Sequence, residues 1–243
     1  MGQTRKKLGI AFFLLLWIIN GSQVSAMNSG YTSESIPKDK QVEIAASIDV
    51  RLLKAEPKKL AIECFDVNEN GLIAIGSEGN NPFESNTISV YSDEGDFQYG
   101  YQFRTDGIFY LEWAGEDIII HFVRGDWAVL VNSDGEVEEI REVPSTLEYD
   151  KFRRNVLKAK KKQINNRTYY LKNDMGILNL VATNYSQLWY KEPDNTEVLL
   201  YDVNAAQFRK KIVWSIGIFL FMGLVFYTVG REFVKLRKNE ESC

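Results

Sequence analysis

Aromatic residues occupy every second position of the stretch 97–103 (Phe97, Tyr99, Tyr101, Phe103), which puts four rings on one face of an extended chain. Just upstream, Thr87-Ile88-Ser89-Val90-Tyr91 is β-branched and aromatic, and Ser92-Asp93-Glu94-Gly95 supplies hairpin-turn chemistry, with Gly95 free to take positive φ. The pattern returns about forty residues later, where Gly135 closes Asn132-Ser133-Asp134-Gly135 between the strand-like runs 127–131 and 136–140. Each hairpin follows another apolar pair, 60–65 with 72–75 and 108–113 with 118–122, and the first copy carries an additional loop at 78–86. A weaker third copy occupies 168–171, 177–182, 187–191 and 196–201, with Pro193-Asp194-Asn195 as its last turn. Four short antiparallel strands in about 40–50 residues is the spacing of a β-propeller blade. The predicted fold is all-β, with propeller-like repeats of four-stranded antiparallel sheets making about three blades of an open or incomplete ring. An irregular sandwich or barrel is the alternative.

The flanks carry different patterns. Arg5-Lys6-Lys7 precede a twelve-residue apolar run at 8–19, followed by Asn20-Gly21 and the small-x-small site Val24-Ser25-Ala26. As a helix that run reaches about 18 Å and cannot cross a hydrocarbon core of about 30 Å. Residues 1–26 therefore read as a signal peptide cleaved after Ala26, or as an uncleaved signal anchor. The polar stretch 27–41 reads as a linker. In 42–52, apolar Val42, Ile44, Ala46, Ile48, Val50 and Leu52 alternate with mostly polar neighbours, which predicts a strand that completes a blade begun elsewhere.

Near the other end, Arg209-Lys210-Lys211 leads into nineteen uncharged residues at 212–230, about 28 Å as a helix, with Trp214 and Tyr227 near its ends. This predicts one transmembrane helix. An exported N-terminus then places the β-repeat domain, 42–203, outside the cell membrane and the tail, 231–243, in the cytoplasm.

Composition, 45% hydrophobic and 26% charged, suits one globular domain and argues against disorder. Cys64 and Cys243 fall on opposite sides of the expected membrane, so the fold is not held by a disulfide between them. Charge is sharply divided along the chain. Residues 60–150 hold 20 Asp and Glu against three arginines, a net of −17, and 151–167 then carries eight basic residues and no acidic one. Phe152, Val156 and Ala159 give that basic insert, Lys151 to Arg167, a modest helical stripe. Its charged face has three uses: plain solvation, docking onto the acidic sheets, or attraction to a protein or an anionic polymer or lipid partner. The neighbouring acids would repel nucleic acid.

Candidate chemistry is sparse. Asp66, Asn68 and Asn70, followed by Gly71, match the first half of a calcium loop, but the twelfth position is Ser77 where a bidentate Glu belongs, so a polar hairpin turn competes with a Ca²⁺ site. Arg124-Gly125-Asp126 sits at a hairpin tip, where Gly-Asp is ordinary turn chemistry. His121, the single histidine, lies in a central strand without a nucleophile pattern, and Cys64 among apolar neighbours reads as a small buried hydrophobe. Acids such as Asp93, Glu94, Asp96, Glu112, Glu116 and Asp117 are numerous enough for a glycosidase pair, although most fall in turns or on outward faces. No catalytic residue or organic cofactor is assigned.

In strand count and spacing the chain resembles WD-repeat and kelch blades, without the Trp-Asp dipeptide or the double glycine. Through Cys64-Phe65-Asp66-Val67-Asn68-Glu69-Asn70-Gly71 and Leu199-Leu200-Tyr201-Asp202-Val203 it resembles membrane-anchored, propeller-like extracytoplasmic proteins of Gram-positive bacteria. That resemblance covers 60–203 and brings no catalytic residues. The expected function is a membrane-anchored extracytoplasmic binding or sensing module without catalysis. The alternatives are an envelope glycan hydrolase using paired carboxylates and a structural subunit of an envelope complex.

Overall fold

The computed structural model describes residues 31–79, 85–105 and 107–240. The expected signal segment and the last three residues of the tail lie outside that set. From the N-terminal side come β1 (Glu34–Ser35), helix α1 (Lys38–Ile48) and β2 (Arg51–Leu53). A first meander follows: β3 (Cys64–Val67), β4 (Ile73–Ser77), β5 (Asn86–Tyr91) and β6 (Phe97–Phe103). A second comprises β7 (Phe109–Ala114), β8 (Asp117–Phe122), β9 (Trp127–Val131) and β10 (Val137–Glu142). Helix α2 (Leu147–Phe152) leads to a third, β11 (Lys161–Ile164), β12 (Arg167–Lys172), β13 (Gln187–Lys191) and β14 (Glu197–Asp202), and the long helix α3 (Asn204–Glu240) leaves from it.

The chain is mostly β, in three antiparallel sheets ordered β2-β6-β5-β4-β3, β1-β10-β9-β8-β7 and β11-β12-β13-β14. The two N-terminal strands thus extend the outer edges of the first and second meanders. The last hairpin of every sheet closes in the same way. Ser92, Asn132 and Glu192 donate their N–H groups to the carbonyls of Asp96, Glu136 and Thr196, around Gly95, Gly135 and Asn195, all with positive φ. A bulge follows each turn.

The first meander is buried on both faces, which explains why β4 is apolar without alternation. Ala74 joins Ile88, Val90, Tyr101 and Phe103 in a core shared with Phe109, Leu111, Ile118, Ile120 and Val129 of the second sheet. Ile73 and Ile75 point the other way, with Phe65 and Val67, into a core shared with Tyr169, Leu188 and Tyr201 of the third. Gly76 marks the closest approach within the first core. A Cβ there would lie 2.6 Å from Cys64 Sγ and 2.8 Å from the Phe109 ring.

Asp66 ties the first strands of the three meanders together. Its Oδ1 receives the Lys162 ammonium of β11 at 2.6 Å and its Oδ2 the backbone N–H of Trp113 in β7 at 2.9 Å. Its carbonyl accepts the Trp113 indole N–H at 3.3 Å. Asp66 and Lys162 side chains are only 13% and 12% exposed, so this pair is worth more than a surface bridge and is costly to break.

Several expected elements differ. The stretch 42–52 is mainly helix α1, because the same alternation also places Ile44 and Ile48 one helical turn apart; both are buried, whereas Val42 is 70% exposed. Ala45 and Ala46 add helix propensity, and the helix stops where Asp49 turns left-handed before the short β2. Of the expected linker 27–41, residues 27–30 lie outside the described set; in the rest, Tyr31 and Ile36 are buried and Gln41 Oε1 accepts the Ile140 N–H. The basic insert is helical only over its first half, capped by Thr146 and ending in a π-turn at Arg153–Leu157; its second half is the strand β11, joined to β12 by Asn165-Asn166, both with positive φ. The expected strand at 177–182 is a 3-10 helix, Gly176–Val181, that leaves Ile177 85% and Leu180 87% exposed. The C-terminal helix extends past the expected span in both directions, so 231–240 continues it instead of forming a separate tail.

Removing Asp66 is expected to strand a buried ammonium and a buried N–H together. Asp66→Ala should lower unfolding stability by about 2–4 kcal/mol, and a double-mutant cycle with Lys162→Met in chemical denaturation should return a coupling above about 1 kcal/mol. Additive effects would show that the pair does not join the sheets energetically.

Candidate functional site

The third sheet passes into α3 through Val203 alone, and the junction is fastened from several directions. Val203 donates its N–H to Ser186, Ser186 Oγ donates to Asn204 Oδ1 at 2.9 Å, and Asn204 Nδ2 donates to the Asp174 carbonyl at 2.6 Å. One turn on, Gln207 Nε2 donates to the Tyr185 carbonyl at 3.1 Å. Tyr185 is itself bridged to Ile62, each N–H donating to the other's carbonyl, so the approach to the first meander is held against the helix start.

These fixed segments enclose a cavity of about 560 Å³. Ala61, Glu78 and Gly79 form one wall, Thr183 and Asn184 another, and Gln207, Lys210, Lys211, Trp214, Ser215 and Ile218 of α3 the third. Gln207 is 9% exposed, and its Oε1 is buried without a hydrogen-bond partner among the described residues. Further along, Val213, Trp214, Gly217, Ile218 and Phe221 form an exposed, open apolar face of the helix that shares Trp214 and Ile218 with the cleft. A polar cleft with two lysines, a carboxylate and an amide oxygen therefore adjoins that face.

The helix itself is long and apolar enough to cross a membrane over Asn204–Arg231, with mean hydropathy 2.2 and none of that window buried.

The residues singled out in the sequence lie elsewhere. Asp66 serves the three-strand junction. Asn68 Oδ1 accepts the N–H groups of Asn70 and Leu72 at 3.0 and 2.8 Å, so this one oxygen holds the turn together. Among the described residues no group of three or more His, Cys, Asp or Glu is placed to hold a metal ion. His121 is fully buried, with Nε2 3.0 Å from Glu112 Oε1 and Nδ1 3.3 Å from the Tyr149 hydroxyl, between the rings of Tyr31, Tyr149 and Phe152. Cys64 is buried, and burial pushes its thiol far above the usual range. Arg124-Gly125-Asp126 forms the β8–β9 turn, with the Arg124 and Asp126 side chains exposed.

Much of the basic insert docks inward. Besides Lys162, Arg167 pairs with Asp93 at 3.1 Å and Glu192 at 2.8 Å, Lys158 lies over the Tyr110 ring and Lys160 over Tyr185. Lys151, Arg154 and Lys161 remain exposed. The cavity residues were missed because Lys210 and Lys211 read as the charged flank of a membrane span, and nothing in the sequence brings Glu78 or Gln207 to them.

Compared with known proteins, the chain matches no family model, no curated sequence and no solved structure.

Beside the cavity wall, burial raises the Glu63 carboxyl to about 7, with the Glu78 charge adding and Lys158 opposing. A carboxyl that binds its proton more tightly when folded loses stability as pH rises from its ordinary value, 4.5, to about 7, and carries the full penalty above that. Glu63→Gln should therefore melt with the wild type near its acid limit and about 2–4 °C higher at roughly pH 8. Equal melting temperatures across that range would contradict a buried, neutralised Glu63.

Proposed function

We propose that this chain is a membrane-anchored extracytoplasmic binding or sensing module in which the three meanders are propeller-like blades of an incomplete ring, held directly on the bilayer surface by α3. The exposed apolar helix growing out of the third sheet with one intervening residue carries this reading. No flexible linker separates sheet from helix, so the anchor fixes the domain's height and tilt as well as its location. Ile177 and Leu180 support it. Their 3-10 helix belongs to the loop that Asp174 and Asn173 tie to Asn204 and Ser186 at the helix start, where exposed apolar side chains suit a lipid interface.

The blade reading draws on the alike last turns and on first strands that meet at Asp66, with the second and the third sheet each sharing a core with the first. The extracytoplasmic placement draws on the basic and apolar N-terminal segment of the sequence. A glycan hydrolase has one observation in its favour, the interacting pair Glu63 and Glu78, with burial raising the Glu63 carboxyl to about 7. The binding module is preferred because Glu63 does not line the cavity, whose walls are mainly lysine, amide and helix residues with Glu78 as their carboxylate.

Native cysteines make sidedness testable. Cys64 is buried and Cys243 ends the chain, so a membrane-impermeant maleimide added to intact cells should leave the wild type unlabelled until lysis, and should label Glu94→Cys at the exposed β5–β6 turn without lysis. Labelling of wild type in intact cells, with Glu94→Cys adding nothing, would place the domain on the inner side.

A further inference from the structure

The three sheets are finished differently on their outer sides. The far face of the second is closed by α2, whose Tyr149 and Phe152 rings pack against His121, and Ile119 and Leu130 on that face are buried. The third sheet turns Tyr169, Leu188 and Tyr201 into the core it shares with the first, and carries exposed and half-buried side chains on its other face. Strand register fixes what lies there. Lys161, Tyr170, Trp189 and Leu199 stand opposite one another on β11, β12, β13 and β14, so they form one row across the outer face. Leu199 is 40% exposed, the Lys172 ammonium lies 5.4 Å from the Trp189 ring, and the Tyr170 hydroxyl is hydrogen-bonded to Glu197. An aromatic centre is therefore flanked by a basic border, Lys161 and Lys172, and an acidic one, Glu197 and Asp202 of β14.

Such a face is complementary to itself in one orientation only. A two-fold axis parallel to the strands, between β12 and β13, lays it on its copy as two aligned sheets. Tyr170 then meets the partner's Trp189, Thr168 meets the partner's Lys191, and the basic border at β11 meets the partner's Glu197. An axis across the strands would set Glu197 and Asp202 against the same two acids of the partner and would point the two β14 strands in opposite directions. With the parallel axis both β14 strands end on the same side, so both α3 helices start where one bilayer can receive them. Head-to-tail growth is blocked, since α2 covers the far face of the second sheet. We propose that the outer face of the third sheet pairs with the same face of a second copy, in a two-fold dimer with both α3 helices in one membrane. The pairing rests on the membrane anchoring proposed above. Four strands about 4.8 Å apart and about five residues long present a face of roughly 300 Å². Standard interfaces bury about 800 Å² per partner, so confinement to a shared bilayer has to raise the local concentration for the pair to form.

The test uses two differently tagged full-length copies in the same membrane, one carrying Thr168→Cys and the other Lys191→Cys, each with Cys243→Ser so that buried Cys64 is the only native thiol left. A permeant bismaleimide with a reach of about 8–10 Å, matched to the spacing of packed sheets, should join the two tags. Glu197→Cys in both copies should give no product, because the axis holds the two β14 strands at opposite borders of the contact. Lys161→Glu or Glu197→Lys alone should lower the yield of the first pair about fivefold, the symmetry turning two weak attractions into repulsions. Both reversals in one chain should restore it; within a chain the two residues lie on opposite edges of the sheet, so recovery reports contact between copies. Absence of the Thr168–Lys191 product in membranes that retain the protein, an equal yield from the Glu197 pair, or failure of the double reversal to restore the yield would overturn the dimer. If the product is absent and the full chain is retained on insoluble envelope polysaccharide, with retention lost in Trp189→Ala, the face belongs to a glycan instead. Recovery of the wild type in the soluble fraction would remove the anchoring on which the pairing depends.

Discussion

A single carboxylate, Asp66, holds the first strands of three sheets in register with one another. It accepts a backbone N–H from the second sheet and an ammonium from the third while sitting in the first. The Lys162 side chain is 12% exposed and needs the acid to avoid an unpaired charge, and the Trp113 N–H has its acceptor there. The first meander lies between its neighbours with both faces covered, so every side chain of β4 is buried and one sheet serves two separate cores. The acidic run 60–150 and the basic run 151–167 meet at this point and again at Arg167, with Asp93 and Glu192.

From that junction the construction runs outward to α3. The third sheet is fixed to the first through Ile62 and Tyr185 and through the Tyr201 hydroxyl, which accepts from the N–H and donates to the carbonyl of Leu60 at 2.9 and 2.8 Å. The helix α3 continues the same sheet and is clamped by Asn204 and Gln207. Orientation of the helix is thus transmitted to the sheets through hydrogen bonds to backbone, with little slack. The start of α3 is held to the sheets by several hydrogen bonds, and the cleft lies between them.

Much of this was legible in the sequence, for identifiable reasons. Period-two aromatics and repeated Gly turns located β5, β6, β9 and β10, because those strands pack apolar side chains into the cores and their turns demand positive φ. The span at 212–230 was legible because lipid demands an uninterrupted apolar run. Where the reading failed, two patterns coincided. Ile44 and Ile48 satisfy a strand and a helix equally, and only packing against the sheets decides. Lys161–Ile164 was hidden inside a charge run although Asn165-Asn166 is a turn signal, and Ile177 and Leu180 read as strand because their sequence does not say that they face outward. The cavity was not legible at all. Glu78, Asn184 and Gln207 are brought together only by the closure of Ile62 on Tyr185, a contact between segments far apart in the chain.

The central claim, that three sheets joined at Asp66 behave as one cooperative body, is tested most directly by native-state hydrogen exchange on the full-length protein across a denaturant series. Amides in β3, β7 and β12 should exchange through one common opening with a shared free energy and denaturant dependence. If the β12 and β13 amides opened at distinctly lower denaturant than those of β4 and β8, the third sheet would be an independent unit and the account would be wrong.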